Sequence, residues 1–310
     1  MRRLLVPLDG SDLAARALPM ARQLATGPGG QVVLARAVPY ASAADKADAA
    51  MQRGLLSWIK SDLDRLASNQ SGVGDCWARV CRGDPADALV ELADLIDADA
   101  IVMSSHGRAG LSRWLFGSVA EAVLRRAGRP VLIVPPADPP AGTAEPTVRR
   151  VLVPLDGSPA GEAVLDAAAG LARALDAGLV LLRVVEPGDT AAAGEAGGYL
   201  CSLAQRLRGR AARTEIRVEM GEPAPCIELV ARELAPLALA MATHGRDGLG
   251  RVLLGSVAAA AMHRTRLPTL LVRPATGDWH AEAVPLVATM PAEDRIGPLV
   301  AVDGAEAVGV

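Results

Sequence analysis

One short segment occurs twice in the chain, first as Arg3-Leu4-Leu5-Val6-Pro7-Leu8-Asp9-Gly10-Ser11 and again as Arg150-Val151-Leu152-Val153-Pro154-Leu155-Asp156-Gly157-Ser158. In each copy an apolar run ends in Asp-Gly-Ser. This pattern predicts a buried strand that leads into a helix, with the serine as a plausible N-cap. A strand followed directly by a helix is the first unit of an α/β sheet. The repeat therefore predicts two domains of this class.

Two further landmarks recur in the same order. A Gly-x-Pro-Ala step lies at Gly83 and again at Gly221, and a glycine-rich loop with a Gly-Ser-Val end follows each of them. The loops read Ser105-His106-Gly107-Arg108 … Gly117-Ser118-Val119 and Thr243-His244-Gly245-Arg246 … Gly255-Ser256-Val257, with nine residues between the two glycines in both copies. A period this long indicates duplicated domains rather than a solenoid. A glycine loop between a strand and a helix start suits a phosphate-bearing ligand.

Length and proline content set the domain boundaries. The 310 residues suit two domains, each of about 130 to 150 residues. The proline-dense segment from Pro135 to Pro146 predicts a stiff, extended linker. We expect domain 1 at residues 1–136, the linker at 137–148, and domain 2 at 149–274. No third copy begins afterwards, and we expect residues 275–310 to form an extension that is partly ordered at best.

Composition narrows the function classes. Hydrophobic residues make up 51% of the chain and aromatic residues only 2%, which suits a core of small aliphatic side chains. No apolar run approaches the roughly 18 residues of a membrane span, and no signal peptide is indicated. The four cysteines form no C-x-x-C pair and the histidines are dispersed, so no metal site is predicted. With a net charge of −3, we expect a cytoplasmic protein that binds neither nucleic acid nor membrane.

Strands alternate with helices in each copy, which predicts a parallel sheet covered on both faces. Such sheets bind ligands beyond the carboxyl ends of their strands. Asp9 and Asp156 end the first strands, and Met103-Ser104 and Met241-Ala242 end the fourth, so we expect these features to face one cleft in each domain. We also expect one helix after each first strand, and second helices at residues 46–68 and 195–208. The fifth strands, 131–134 and 270–272, are expected to pair the two domains.

These motifs together resemble the universal stress protein family, in its tandem-domain, ATP-binding branch, over about residues 1–136 and 148–274. The resemblance implies two tandem copies of a five-stranded parallel-sheet, Rossmann-like (adenine nucleotide alpha-hydrolase-like) α/β domain. It also implies the nucleotide pattern Gly-x2-Gly-x9-Gly-Ser/Thr. Ser104 and Ala242 stand where that pattern has its first glycine.

The resemblance assigns nucleotide-binding roles to residues of both copies. In domain 1 the implied binding residues are Pro7, Leu8, Asp9, Val38, Met103, Ser104, His106, Gly107, Arg108, Gly117, Ser118 and Val119. In domain 2 they are Pro154, Leu155, Asp156, Val185, Met241, Ala242, His244, Gly245, Arg246, Gly255, Ser256 and Val257. Five residues of domain 1 would contact the phosphates, as would their counterparts in domain 2: Gly107, Arg108, Gly117, Ser118 and Val119. The aspartate of each set would accept hydrogen bonds from ribose or adenine. The proline, the valine and the methionine of each set would line the base slot.

Each of these residues also has a structural alternative. Gly107 could be a turn glycine with positive φ, Ser118 an N-cap, and Asp9 a cap of the first helix. His106 could pack its loop, and Arg108 could face solvent. The same alternatives apply to the counterparts in domain 2.

The favoured function is an ATP-binding regulatory module of the stress response, with ATP bound alone or with Mg²⁺ and with an unidentified protein partner. A homodimer is a further expectation. No P-loop is present, so we expect at most slow ATP hydrolysis. The alternatives are a nucleotide-using enzyme with His106 or His244 as acid or base, a ligand-free dimerisation scaffold, and a flavin-binding electron carrier. The sequence leaves open which adenine nucleotide binds and whether both sites work.

Overall fold

The computed structural model describes residues 1–26, 29–39, 49–69, 75–105, 116–136, 148–243, 254–274 and 300–301. Within these residues all strands belong to one sheet. The strands are β1 (Arg3–Pro7), β2 (Gln31–Val38), β3 (Asp75–Arg82), β4 (Ala100–Ser104), β5 (Val131–Val134), β6 (Arg150–Leu155), β7 (Gly178–Val185), β8 (Thr214–Met220), β9 (Ala238–Ala242), β10 (Thr269–Val272) and β11 (Val300–Ala301).

Helices connect the strands of each domain. They are α1 (Asp12–Ala15), α2 (Ala17–Leu24), α3 (Ala49–Ser68), α4 (Pro85–Leu95), α5 (Ser118–Arg126), α6 (Pro159–Glu162), α7 (Leu165–Ala174), α8 (Thr190–Arg206), α9 (Pro223–Leu234) and α10 (Ser256–Thr265). None of the helices in the described part of the chain combines the length and the apolar character that a membrane crossing requires.

The strand order is the same in both halves of the sheet. Domain 1 has the order β3-β2-β1-β4-β5 and domain 2 the order β8-β7-β6-β9-β10, with parallel pairing throughout each half. The order reverses between β1 and β4, and between β6 and β9. Each reversal is a topological switch point, where ligands of doubly wound sheets bind. The predicted α/β fold with two five-stranded parallel units is confirmed.

The two halves meet through their fifth strands. β5 and β10 pair antiparallel, with Leu132 opposite Leu270 and Ile133 opposite Thr269. The predicted pairing of these strands is therefore present in the structure. The apolar layers on both faces of the sheet continue across the junction: one layer joins Leu132 and Leu270, and the other contains Ile133 and Leu271.

The first helix differs from the sequence expectation. Instead of one helix, domain 1 has α1 and α2 with a break at Arg16, and domain 2 has α6 and α7 with a break before Leu165. In domain 1, Pro19 lacks the amide hydrogen that a continuous helix would donate to the carbonyl of Ala15. Domain 2 has Asp166 at the corresponding position, so the break does not depend on proline.

The other differences concern the ends of elements. α8 begins at Thr190, five residues before the predicted start, because the Asp189 side chain accepts a hydrogen bond from the Ala192 amide at 2.8 Å and caps the helix.

Residues 46–48 of the predicted second helix lie outside the described residues. The linker at 137–147 and most of the segment 275–310 also lie outside them. Val300–Ala301 pairs antiparallel with β3. The predicted domain boundaries stay predictions.

Candidate functional site at the carboxyl ends of the strands

A tight turn holds the aspartate that follows β1. Asp9 Oδ1 accepts hydrogen bonds from the Ser11 amide at 2.9 Å and from the Ser11 hydroxyl at 2.6 Å. The Ser11 hydroxyl in turn accepts a hydrogen bond from the Ala14 amide at 3.1 Å and is the N-cap of α1. Gly10 makes the turn with φ of 85°, a conformation that favours glycine. Asp9 therefore orients the capping serine, and the alternative that Asp9 itself caps the helix is wrong.

Domain 2 repeats this turn closely. Asp156 Oδ1 accepts hydrogen bonds from the Ser158 amide at 3.0 Å and the Ser158 hydroxyl at 2.6 Å. The Ser158 hydroxyl accepts a hydrogen bond from the Gly161 amide at 3.0 Å, and Gly157 has φ of 77°. The predicted N-cap role of both serines is confirmed.

The second component of the site is the beginning of α5. Its N-cap is Gly117, whose own amide donates to the Ser105 carbonyl at 2.9 Å. The helical ladder begins with the hydrogen bond from the Glu121 amide to the Gly117 carbonyl, at 3.0 Å. The amides of residues 118–120 therefore precede that ladder, as the first amides of a helix do. Together with the helix dipole they form the kind of end that binds anions.

The start of α10 has the same geometry. Gly255 is its N-cap with φ of −57°, equal to the φ of Gly117. The Gly255 amide donates to the Thr243 carbonyl at 2.7 Å. In both helices the cap is the glycine, so the alternative that Ser118 and Ser256 are N-caps is wrong. The amides of both glycines donate to a carbonyl, so among the amides at the helix starts only those that follow the glycines are left outside this contact and the helical ladder.

A cleft of about 310 Å³ joins the two components in domain 1. Ligand pockets in proteins have volumes of roughly 300–1,000 Å³. The cleft brings together these sequence-predicted site residues: Pro7, Leu8, Asp9, Met103, Ser104, Gly117, Ser118 and Val119. It is also lined by residues that the sequence analysis missed: Ala14, Ala35, Ala37, Pro85, Leu89, Ser105 and Ala120. The β2 alanines among them alternate along the strand, which is a signal that could have identified them.

Val38 is the predicted site residue that the structure places elsewhere. Side chains alternate between the two faces of a strand. Ala35 and Ala37 lie on the face that lines the cleft, whereas Val38 packs against the apolar layer on the opposite face. The prediction took the last residue of the strand and so selected the wrong face. The same alternation places Val184 in the apolar layer on the corresponding face of β7, and the role predicted for Val185 stays a prediction.

The remaining predicted residues of domain 2 occupy corresponding places. Pro154 and Leu155 end β6, Asp156 follows, and Met241 and Ala242 end the adjacent strand β9. Gly255 precedes α10, and Ser256 and Val257 begin that helix. The residues that were predicted to complete both sites, His106, Gly107, Arg108, His244, Gly245 and Arg246, lie outside the described residues.

An arginine lies behind each aspartate turn. Arg36, which is only 6% exposed, donates from Nε to the Leu8 carbonyl at 3.4 Å and pairs with Asp62 of α3 at 3.1 Å. In domain 2, Arg183 Nη1 donates to the Leu155 carbonyl at 3.3 Å. In both domains a guanidinium thus fixes the backbone immediately before the aspartate.

A tyrosine adds to this cluster in domain 2. Burial of the Tyr199 hydroxyl, together with the nearby negative charges of Glu162 and Asp156, raises the pKa of Tyr199. The phenol therefore stays neutral at physiological pH. Within the described residues, no group of three or more His, Cys, Asp or Glu side chains is arranged to hold a metal ion.

The strand order defines a doubly wound α/β protein with a switch point in each half, and the described cleft lies at the switch point of domain 1. The sequence model of the universal stress protein family matches residues 1–135 and 147–273. The chain therefore belongs to the universal stress protein family.

Individual relatives agree with this assignment. The chain is 35% identical over 202 residues to a universal stress protein of Mycobacterium bovis, an alignment that covers 61% of this chain and 66% of that protein, slightly less than two thirds. It is 24% identical over 299 residues to a universal stress protein of Synechocystis, covering 88% of this chain and 100% of the relative. The crystal structure of a universal stress protein from Archaeoglobus fulgidus has a TM-score of 0.67 at 20% identity, covering 87% of this chain and 98% of that one. At this identity the structural likeness shows the fold alone.

Proposed function

We propose that this protein is an ATP-binding regulatory module in which bound nucleotide changes a surface that contacts partner proteins. The observation that carries the proposal is the cleft of domain 1. In it an apolar slot, a turn-held aspartate and the first amides of a helix lie along one ligand-sized cavity. These three features match the base, the ribose and the phosphates of a nucleotide, in that order.

The apolar part of the cleft suits a purine base. Pro7 ends β1, Ala37 lies on the cleft face of β2, and Met103 is the penultimate residue of β4 with only 6% of its surface exposed. A flat base placed here would be removed from water on its faces, which stabilises binding through burial of apolar surface. Asp9 also lines this cleft. Its carboxylate can accept hydrogen bonds from the ribose hydroxyls, and hydrogen bonds to an ionised acceptor are stronger than neutral ones.

The start of α5 suits the phosphates. The amides of Ser118, Val119 and Ala120 precede the helical ladder, and the exposed Ser118 side chain adds a hydroxyl donor. The positive end of the helix dipole favours the negative charge of a phosphate. We propose that Gly107 and Arg108 complete this end of the site, as the family resemblance implies. Residues 106–115 connect Ser105 to Phe116 and lie outside the described residues. We propose that nucleotide binding changes the surface that these residues offer to a partner.

The test is isothermal titration of ATP, with and without Mg²⁺, into the wild type and the variants Gly117→Asp and Gly255→Asp. Gly117 has φ of −57° and ψ of 151°, which any residue can adopt, so the substitution should be tolerated. Aspartate is a favoured N-cap whose carboxylate accepts hydrogen bonds from the N2 and N3 amides. It would occupy amides that we assign to phosphate and would also repel that phosphate.

We expect each variant to weaken binding at its own site by about tenfold or more, since one lost charge-assisted interaction is of order 1.5–3 kcal/mol. Each variant is the matched control for the other, and Gly117→Ala separates the added methyl group from the carboxylate. A folded wild type that binds no ATP would overturn the proposal and favour the scaffold hypothesis. Titration with ADP, AMP and a cyclic adenine nucleotide would identify the preferred ligand.

A further inference from the structure

Domain 2 has larger side chains at the positions equivalent to the β2 wall of the domain 1 cleft. Pro7 lies opposite Ala35 in the pairing of β1 with β2, and Pro154 lies opposite Leu182 in the equivalent pairing of β6 with β7. Ala35 therefore corresponds to Leu182. Two residues further along the same face, Ala37 corresponds to Val184.

The side chains at these positions face the cleft side of the sheet in both domains. Ala35 and Leu182 are both fully buried members of the apolar layer on that side, and Ala37 and Val184 are partly buried and pack against it. Leucine has three more side-chain carbons than alanine, and valine has two more. On this face the side chains of β7 are therefore larger than those with which β2 lines the cleft of domain 1.

Other apolar positions around the cleft do not offset this difference. Pro85 and Met103 of domain 1 correspond to Pro223 and Met241, which are the same residue types, and Leu89 corresponds to the isomeric Ile227. An opposite change occurs at Ala14, whose counterpart is Gly161, and it removes one carbon. A Cβ at Gly161 would lie only 2.4 Å from Asp156 Oδ1. The space that the Ala14 methyl group occupies in domain 1 is therefore taken up by the aspartate in domain 2 and is not open to a ligand.

We infer that the two nucleotide sites have different size selectivity for the base. Domain 1 accepts a purine nucleotide whose base carries an additional apolar group, whereas domain 2 is restricted to the unsubstituted base. Ala35 and Ala37 are the specificity-determining residues of domain 1, and Leu182 and Val184 are their counterparts. This inference rests on the proposed nucleotide sites and adds which ligand each of them selects.

The physical reason is packing. A well-packed apolar wall tolerates extra ligand volume poorly, because neighbouring side chains must leave their preferred rotamers. An apolar wall of alanines leaves space that an extra ligand group can fill, with a gain from each buried carbon. The difference between the sites should therefore appear in the affinity ratio of a substituted nucleotide to ATP, rather than in the affinity for ATP itself.

The experiment titrates ATP and N6-benzyl-ATP into two single-site proteins. Gly255→Asp leaves domain 1 as the working site, and Gly117→Asp leaves domain 2. We expect the ratio of N6-benzyl-ATP affinity to ATP affinity to be higher in domain 1 by about tenfold or more. Adding Ala35→Leu and Ala37→Val to the domain 1 protein should lower that ratio by a similar factor. Ala37→Val alone, at the partly buried position, keeps the test available if the double variant does not fold.

The reciprocal change, Leu182→Ala with Val184→Ala in the domain 2 protein, should raise the ratio. Equal ratios in the two single-site proteins, with ATP bound by both, would overturn the inference and leave the proposed function standing. If Ala37→Val leaves the affinity ratio unchanged in a folded domain 1 protein, the inference is also overturned. Failure of both proteins to bind ATP would instead contradict the proposed function.

Discussion

Two serine hydroxyls illustrate how residues of one type serve different purposes in this protein. Ser11 accepts a hydrogen bond from the Ala14 amide and caps α1. Ser118 lies one residue after a glycine cap, its side chain is exposed, and α5 has no side-chain hydrogen bond at its cap. The first hydroxyl is therefore part of the local fold, while the second is available to a ligand.

Substitution at these two positions should separate stability from binding. We expect Ser118→Ala to weaken ATP binding by about three- to tenfold, the value of one hydrogen bond, with no measurable change in unfolding free energy. Ser11→Ala should lower the unfolding free energy by about 1 kcal/mol through loss of the cap. Titration calorimetry and urea unfolding measure the two effects. A loss of stability in Ser118→Ala as large as that in Ser11→Ala would show that Ser118 supports the helix instead.

At the scale of elements, the helices α4 and α9 begin with similar sequences but different caps. Asp84 Oδ1 accepts hydrogen bonds from the Ala86 amide at 3.1 Å and the Asp87 amide at 3.2 Å. Glu222, at the equivalent place, makes no side-chain cap hydrogen bond. The extra methylene of glutamate displaces its carboxylate from the short reach that capping requires, because favoured N-cap side chains are those of Ser, Thr, Asp and Asn.

Alanine substitutions at the two caps form a matched pair. We expect Asp84→Ala to lower the unfolding free energy by about 1 kcal/mol, and Glu222→Ala to change it by no more than about 0.5 kcal/mol. The ion pair of Asp84 with Arg126 adds little, because both side chains are largely exposed. Urea unfolding of both variants gives the comparison. Equal losses would mean that neither side chain acts through the amides of its helix.

At the scale of the whole molecule, the two domains share their apolar layers. Leu132 and Leu270 are fully buried and lie opposite each other where β5 meets β10. Each layer contains residues of both domains, Leu4 and Val151 in one and Leu5 and Leu152 in the other. Because the cores are continuous, we expect the domains to unfold together, although each has a complete set of five strands.

Leu270→Ala tests this cooperativity. Loss of a buried leucine costs about 2–5 kcal/mol, and we expect the loss to destabilise domain 1 as well as domain 2. Domain 2, residues 149–274, contains no tryptophan. Three of the four tryptophans, Trp58, Trp77 and Trp114, lie in domain 1 and Trp279 lies in the C-terminal extension, so tryptophan fluorescence mainly follows domain 1. The fluorescence and far-UV circular dichroism midpoints should fall by the same amount. The control is Leu229→Ala, at a side chain that is 59% exposed. A fluorescence midpoint that stays at its wild-type value would show independent domains.

The sequence by itself determined the duplicated α/β fold, the positions of the fifth strands to within about one residue, and eight of the fifteen residues that line the described cleft. These features follow from local patterns: apolar runs that end in Asp-Gly-Ser, glycine loops, and alternation of strands with helices. The sequence also identified the strands that join the domains, since the fifth strands β5 and β10 are the ones that pair.

Only the tertiary structure decided which face of β2 lines the cleft, which amides at the start of α5 precede the helical ladder, and where the first helix breaks. Strands of a parallel sheet are covered on both faces, so the residues on both faces are apolar. The sequence pattern therefore does not show that Ala37 and Val38 lie on opposite faces of the sheet with different neighbours. The Gly117 amide is committed to the Ser105 carbonyl, a contact between residues twelve positions apart that local propensity cannot reveal. The difference between Ala37 and Val184 became interpretable only once both were placed on the cleft side of the sheet.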